Sequence, residues 1–460
     1  MRILVFLLLA ALLPGMLNAA AIPDKLSLTD AVSMALGENP TLKESKVSYL
    51  NSESELRIAN IKTTYTVGAE TIVEDKPDEH GTAGSVYGSL SYADLLGTKA
   101  TLEVAPYGLG SQRGSVGLVI RQPLVGGKGA LSEKSDLVLG ARNALAIRDK
   151  TLYRTRQAVT FDVISAYYRA VLAFERIKVQ ERAVAIAEKA YGDARKRLDA
   201  RLVTGLEVSR AETNLAQTKD ALNLQQQLAK GALDRLMIAV GLGIGQTPEL
   251  IDGIPEAAPD PPDLGAAIKI ALANRAELAE YDFRLLDQER SLAMANDQLR
   301  PRVDAVLGYR SQSRDAGAIS GSLIDDGSLT AGFEVSIPLD KTTRVEERDT
   351  AFRDLQMLKE LRAFRADQVV EEVRQAYRAL QAAQTSFVIY SDNLKAAQHQ
   401  LYLSQRMVEE GEGSNREVLD AQNALTRVES GMLSAKTDLY LARMDLLYAM
   451  GEDLSTVVLQ

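Results

Sequence analysis

The chain has 460 residues, 62 acidic against 53 basic side chains and a net charge of -9, which excludes the basic face that a nucleic-acid partner would call for. It contains no cysteine, so disulfides, thiol nucleophiles, cysteine metal sites and a lipidated cysteine anchor are all ruled out. Its two histidines, His80 in a polar loop and His399 inside a helical pattern, are far apart in sequence and suggest no metal site.

The N-terminus has the layout of a cleavable secretory signal over residues 1–21: Arg2, an apolar run from Ile3 to Leu13, then small residues at Asn18, Ala19, Ala20 and Ala21. That run falls short of the about 20 residues a membrane-spanning helix needs, and no later apolar run is long enough to span a bilayer as a helix. The mature chain opens with a helical pattern through Leu28, Ala31, Ala35, Leu36 and Leu42, with Asn39-Pro40 inside it. Strand-type alternation follows over residues 61–73 and 116–124, and residues 86–104 suggest a further hairpin without assigning its place. Gly126-Gly127-Lys128-Gly129 lacks the spacing of a phosphate loop and reads as a turn from strand to helix.

From Ala166 the apolar residues recur at alternating steps of three and four, through Ala170, Ala173, Ile177, Val184, Ala187, Tyr191 and Leu198. This is a coiled-coil seam. It breaks near Val203 to Gly205 and resumes at Val208, Ala211 and Leu215, so the segment predicts a long antiparallel helical hairpin. One helix over residues 132–200 would run roughly 100 Å at about 1.5 Å per residue, too long for a compact domain.

The same order recurs. At a spacing of 210 residues Val163, Ala166 and Tyr167 meet Val373, Ala376 and Tyr377, and Glu207, Val208, Ala211 and Leu215 meet Glu417, Val418, Ala421 and Leu425. At other offsets, Gln122-Pro123-Leu124 matches Ile337-Pro338-Leu339, and the Leu28 to Leu42 pattern matches Leu264, Ala267, Ala271, Leu272 and Leu278. The organisation predicted is a signal over 1–21, a first repeat over 22–253, a Pro-rich linker over 254–263 and a second repeat over 264–460. The second hairpin turns near Gly411 to Ser414, where Arg201 of the first repeat stands opposite Gly411.

The strand segments, 303–309 and 329–338 in the second repeat, alternate apolar with polar or glycine, as in Gly332-Phe333-Glu334-Val335-Ser336-Ile337. One face is apolar and the other wet, the pattern of a barrel wall between lipid and water and equally of a half-buried soluble sheet. In lipid an open sheet edge is not tolerated, so a wall of four strands per chain implies oligomerisation. The polar segments 74–84 and 311–328 are expected as loops at the cell surface.

The Leu28 to Leu42 pattern with Asn39-Pro40, the Gln122-Pro123-Leu124 strand end and Glu417-Val418-Leu419-Asp420-Ala421-Gln422, each with its counterpart in the other half, resemble the outer-membrane efflux protein family, the TolC-like channels. The resemblance covers nearly all of the mature chain. It implies a mainly α fold with a β-barrel portion: a duplicated helix-strand-helix unit, long coiled-coil hairpins forming a periplasmic tube, and a trimeric 12-stranded transmembrane β-barrel with four strands per subunit. It also implies a homotrimer in outer-membrane lipid, docked to a periplasmic adaptor and an inner-membrane pump of a tripartite efflux or type I secretion system. At positions matching the family's acidic constriction, Glu417 and Asp420 would form carboxylate rings at a periplasmic gate, with Glu207 and Arg210 at the same places in the first repeat.

No Ser-His-Asp set and no nucleophile elbow occurs, so the chain is expected to be no enzyme and to need no cofactor or metal. The alternative reading is a periplasmic coiled-coil stalk without a pore, which would have no use for the strands. The exported cargo, whether drug, metal or protein, is not written in the sequence.

Overall fold

The computed structural model describes residues 24–459 except 77–78, 110–113, 202, 246, 256–261, 313–326, 411 and 413. The signal segment and the middle of both the Pro-rich linker and the 311–328 loop therefore lie outside the described residues.

In chain order the elements are β1 (Lys25–Leu26), α1 (Leu28–Glu38), α2 (Pro40–Ala59), β2 (Thr63–Lys76), β3 (Glu79–Ala93), β4 (Lys99–Leu109), β5 (Ser115–Val125), α3 (Glu133–Asp199), α4 (Gly205–Val240) and β6 (Glu249–Leu250). The second half follows with α5 (Leu264–Asn274), α6 (Ala276–Asp297), β7 (Arg302–Gln312), β8 (Ser328–Ser336), α7 (Thr342–Glu409), α8 (Asn415–Ala449) and α9 (Leu454–Leu459). Two short helices, strands, one very long helix and a shorter returning helix thus occur twice. The chain divides into two compact units, one of residues up to Glu44 with Thr155–Asn274 and Val369–Gln460, the other of Ser45–Arg154 and Arg275–Gln368. Each unit draws on both halves of the chain.

In the first unit the second-half core joins Ala267 and Ala271 of α5 with Val369, Val373, Ala376 and Leu380 of α7 and Leu446, Ala449 and Met450 of α8. The matching first-half positions Ala31, Ala35, Val159, Val163, Ala170, Leu236 and Val240 are buried as well. Alanines at these positions let helix axes approach closely, which is why the cores are built from small side chains. Further along, Lys219 of α4 pairs with Glu188 of α3 at 2.8 Å, and Arg182 of α3 with Glu429 of α8 at 3.3 Å. Gly431 of α8 sits under the Tyr390 ring of α7, where a Cβ would come within 2.3 Å of it.

The chain's start is tied down locally. β1 pairs parallel with β6 through Lys25 opposite Glu249 and Leu26 opposite Leu250. The hydroxyl of fully buried Tyr167 lies 3.0 Å from the Leu26 carbonyl and 3.1 Å from the Asp252 carboxylate, and accepts the Asp252 N–H at 3.2 Å. Burial pushes this phenol well above its ordinary pKa, so it remains a neutral donor. Asn39 caps α2: its side-chain oxygen accepts the Thr41 and Leu42 N–H groups at 3.0 and 3.2 Å, and Pro40 fills the first helical position, where a missing N–H costs nothing. Its amide nitrogen donates to the Ala239 carbonyl at 2.9 Å near the end of α4. Gly241 ends α4 at φ +89°, and a Cβ there would collide with the Asn39 backbone at 2.7 Å.

The second unit holds one antiparallel sheet of six strands in the order β2-β3-β4-β5-β7-β8. The sheet carries two strands beyond the four expected for the barrel wall, β3 and β4, which give the hairpin over residues 86–104 its place. β3 is rich in glycine and serine, so its alternation is faint in the sequence; register with β4, with Leu90 opposite Leu102 and Ser91 opposite Thr101, is what sets it in the sheet. The loop expected over residues 74–84 is likewise shortened, because β2 continues to Lys76 and β3 begins at Glu79, placing His80 in a strand opposite Asp75. Register sorts the strands into two faces. Leu118, Tyr309 and Leu329 stand in line on one face, as do Ile120, Leu307 and Ala331; Arg121 and Glu334, paired at 3.3 Å, mark the other.

Tyr167→Phe removes the hydroxyl that holds β1 and the Asp252 backbone together, and is expected to cost about 1–3 kcal/mol in denaturant unfolding, with Tyr377→Phe as the milder control. Arg201 carries a left-handed φ of +58° just past α3, a conformation that favours glycine. Arg201→Gly should therefore raise stability by roughly 1 kcal/mol in the same measurement.

Candidate functional site

The four residues singled out in the sequence lie at the start of two helices. α4 begins after Thr204, whose side chain makes no capping hydrogen bond, and places Glu207 in its first turn and exposed Arg210 one turn on. α8 begins after Ser414 with a complete capping box: the Ser414 N–H donates to the Glu417 carboxylate at 3.1 Å and the Glu417 N–H to the Ser414 hydroxyl at 3.4 Å. Glu207 and Glu417 thus occupy the same helical position, as do Arg210 and Asp420.

The two starts differ in their electrostatics. Glu417 is exposed and spends one carboxylate oxygen on its cap, close to the positive end of its helix. Asp420 reaches Arg416 at 3.6 Å with both side chains about seven-tenths exposed, an ion pair too wet to hold the carboxylate in place. Among the described residues Arg210 forms no ion pair within the chain, and no contact joins it to Glu417 or Asp420. Polar contacts link the neighbourhood instead: Arg197 near the end of α3 reaches the Asn415 side chain at 3.5 Å, and Asn423 donates to Asn214 at 3.2 Å. These asparagines are visible only in the structure, because nothing in a single sequence pairs them.

The second polar concentration lies in the other unit, where the strands give way to helices. The glycine turn after β5 runs through left-handed residues at Gly126, Gly127 and Gly129, and the Gly127 N–H donates to Asp297 at 2.6 Å. Beside it a cavity of about 540 Å³ is lined by Asp94, Lys99, Glu133, Asp297, Arg302 and Arg344 among others. Lys99 pairs with Glu133 at 2.6 Å and holds that carboxyl below its usual pKa. Arg302 pairs with Asp304 of its own strand at 3.0 Å, Asp94 accepts N–H groups of its own turn and Arg344 donates to the Gln298 carbonyl, so the charges around the cavity are engaged in holding strands, turns and helices at a joint. Among the described residues no group of His, Cys, Asp or Glu is set to hold a metal ion, and no helix is long and apolar enough to cross a membrane.

The description "outer membrane efflux protein" belongs to the family model that matches residues 267–452. The outer membrane efflux protein BepC of Brucella suis is 25% identical over 352 residues, covering 74% of this chain and 72% of that protein. Among solved structures, CusC superposes with a TM-score of 0.71 at 15% identity, covering 93% of this chain and 92% of the other. The outer membrane protein VceC of Vibrio cholerae gives 0.70 at 16% identity, with 92% and 96% covered. The fold is thus shared with these solved structures along nearly the whole chain, and the second half matches the model of the outer membrane efflux protein family.

Proposed function

We propose that the chain is the outer-membrane channel subunit of a tripartite efflux or type I secretion system, a passive duct from periplasm to exterior that does no covalent chemistry. It works as a homotrimer, seated in outer-membrane lipid and docked to a periplasmic adaptor and an inner-membrane pump. The observation that carries this reading is the two-faced sheet, apolar on one side, whose two outer strands have no further partner strand among the described residues. A pore-free periplasmic stalk would gain nothing from such a sheet.

The periplasmic gate in this proposal is the start of α8. Three copies of Glu417 and of Asp420, one turn apart on one helix face, would make two stacked carboxylate rings that favour cations and bind divalent ions. Glu207 adds a third carboxylate at the first-repeat position, while Arg210 breaks the second ring there and is free to meet a carboxylate of a neighbouring copy.

Two measurements follow. Membrane fractions should contain the protein in the outer membrane as a species of three chains, each starting near residues 19–21; a soluble monomer in the periplasm would favour the stalk. In planar bilayers the double variant Glu417→Gln, Asp420→Asn keeps the capping hydrogen bond, since glutamine serves in a capping box, yet removes both charges. Cation preference should fall toward unity and divalent block should weaken; unchanged values would leave Glu417 as a helix cap alone.

A further inference from the structure

The cavity at the strand-to-helix joint carries more positive charge than the joint uses. Five basic side chains line it, Lys99, Lys134, Arg300, Arg302 and Arg344, against three acidic ones, Asp94, Glu133 and Asp297. Lys99 and Arg302 are neutralised by Glu133 at 2.6 Å and Asp304 at 3.0 Å. The other three are not. Lys134 donates to the Ile61 carbonyl and Arg344 to the Gln298 carbonyl, neutral acceptors that satisfy a hydrogen bond and leave the charge in place. Among the described residues the Arg300 side chain has no partner. Asp94 and Asp297 accept backbone N–H groups, from Leu96 and Thr98 and from Gly127, and pair with no cation among the described residues.

Two of these cations stand where their helices disfavour them. Lys134 is the second residue of α3 and Arg344 the third of α7, at the positive ends of both helix dipoles, and α7 has no acidic residue in its first turn to offset this. An anion in the cavity would relieve that repulsion and neutralise Arg300 as well. The volume of about 540 Å³ suits a small ligand.

The surroundings choose the anion. Lys99 and Arg302 are the first residues of β4 and β7, so the cavity lies at the level where the sheet ends and the helices begin. Pro338 lines it, and the residues on either side of Pro338 are apolar and uncovered, Ile337 at 57% and Leu339 at 95% exposure. At the opposite end of the sheet the turn between β2 and β3 reverses the charge, with Glu74, Asp75 and Glu79 against Lys76. Basic residues at one membrane surface are drawn to anionic headgroups there. Resting on the channel reading above, we propose that the cavity binds the phosphate of an anionic phospholipid from the leaflet facing the periplasm. Lys134, Arg300 and Arg344 hold the headgroup, and the acyl chains lie along Ile337 and Leu339.

The test titrates the detergent-purified full chain with dioleoylphosphatidylglycerol or dioleoylphosphatidylcholine and reads bound lipid per chain by native mass spectrometry. Phosphatidylglycerol should bind on the order of tenfold more tightly than phosphatidylcholine. Arg300→Gln with Arg344→Gln should bring the two lipids level, and Arg300→Gln alone, whose side chain holds nothing else in place, should lower the preference by about threefold. Arg300→Lys with Arg344→Lys keeps the charge and should keep the preference. So should Lys62→Gln with Lys128→Gln, which removes two charges beside the strand ends but outside the cavity. Equal affinity of the unmodified protein for both lipids, a preference that survives loss of both arginine charges, or one lost with Lys62 and Lys128 would overturn the site. Inorganic phosphate at constant ionic strength should leave the lipid bound; displacement would mean that the cavity takes phosphate from water and would overturn the lipid assignment. An outer-membrane trimer without lipid preference would sink this inference and leave the channel reading intact, whereas a soluble monomer that binds neither lipid would sink both.

Discussion

A backbone N–H or carbonyl left without a partner in hydrocarbon costs several kcal/mol, so a sheet in lipid must have no edges. This chain has a sheet with two, β2 and β8, and no further strand to cover either among the described residues. Self-association is therefore a condition of the sheet's existence in a membrane. In the single chain β8 is exposed along its whole length, Leu329, Phe333 and Val335 included. In a soluble protein such a strand would be an aggregation hazard.

The helical part meets a different constraint. Helices of 67 and 68 residues cannot be held by a globular core, so each is fixed by a seam repeated along its length. Alanine fills much of that seam. Small side chains bury little apolar area each, and stability here depends on the number of contacts and on a few polar fasteners, such as Tyr167 at the Leu26 carbonyl, Asn39 at the end of α4 and Arg176 of α3 at Ser434 of α8. Such fasteners sit where the seam must begin, end or cross to a neighbour.

Much of this was legible in the sequence. The 3-4 alternation gave the long hairpins nearly to the residue, since residues 132–200 became Glu133–Asp199, and the 210-residue spacing survived as equivalent buried positions. What stayed hidden had physical causes. β3 alternates leucine and tyrosine with glycine and serine, a contrast too weak to count until β4 supplies a register, so the hairpin over residues 86–104 had no assigned place. At the candidate gate the acidic residues were found by their resemblance to a family and by their spacing. The capping box that engages Glu417 was not anticipated, though Ser414 followed by Glu417 is its local signature.

Duplication and divergence divide the work between them. In the proposed ring of three chains, two repeats each would give nearly six-fold equivalent positions, uniform wherever both repeats keep the same residue type, as with Glu207 and Glu417. Where they differ the symmetry falls to three. Arg210 stands where the second repeat has Asp420, Thr204 without a cap bond stands where Ser414 has one, and among the described residues a second strand pair occurs in the first repeat alone. A uniform ring can only be open or shut everywhere at once. In the proposed gate, alternating positive and negative positions would pair with one another across copies, opening would separate those pairs, and the α4 start, without a side-chain cap, would be the end with less to hold it. The differences between the repeats, more than their likeness, are thus where a resting state and an open state can be told apart.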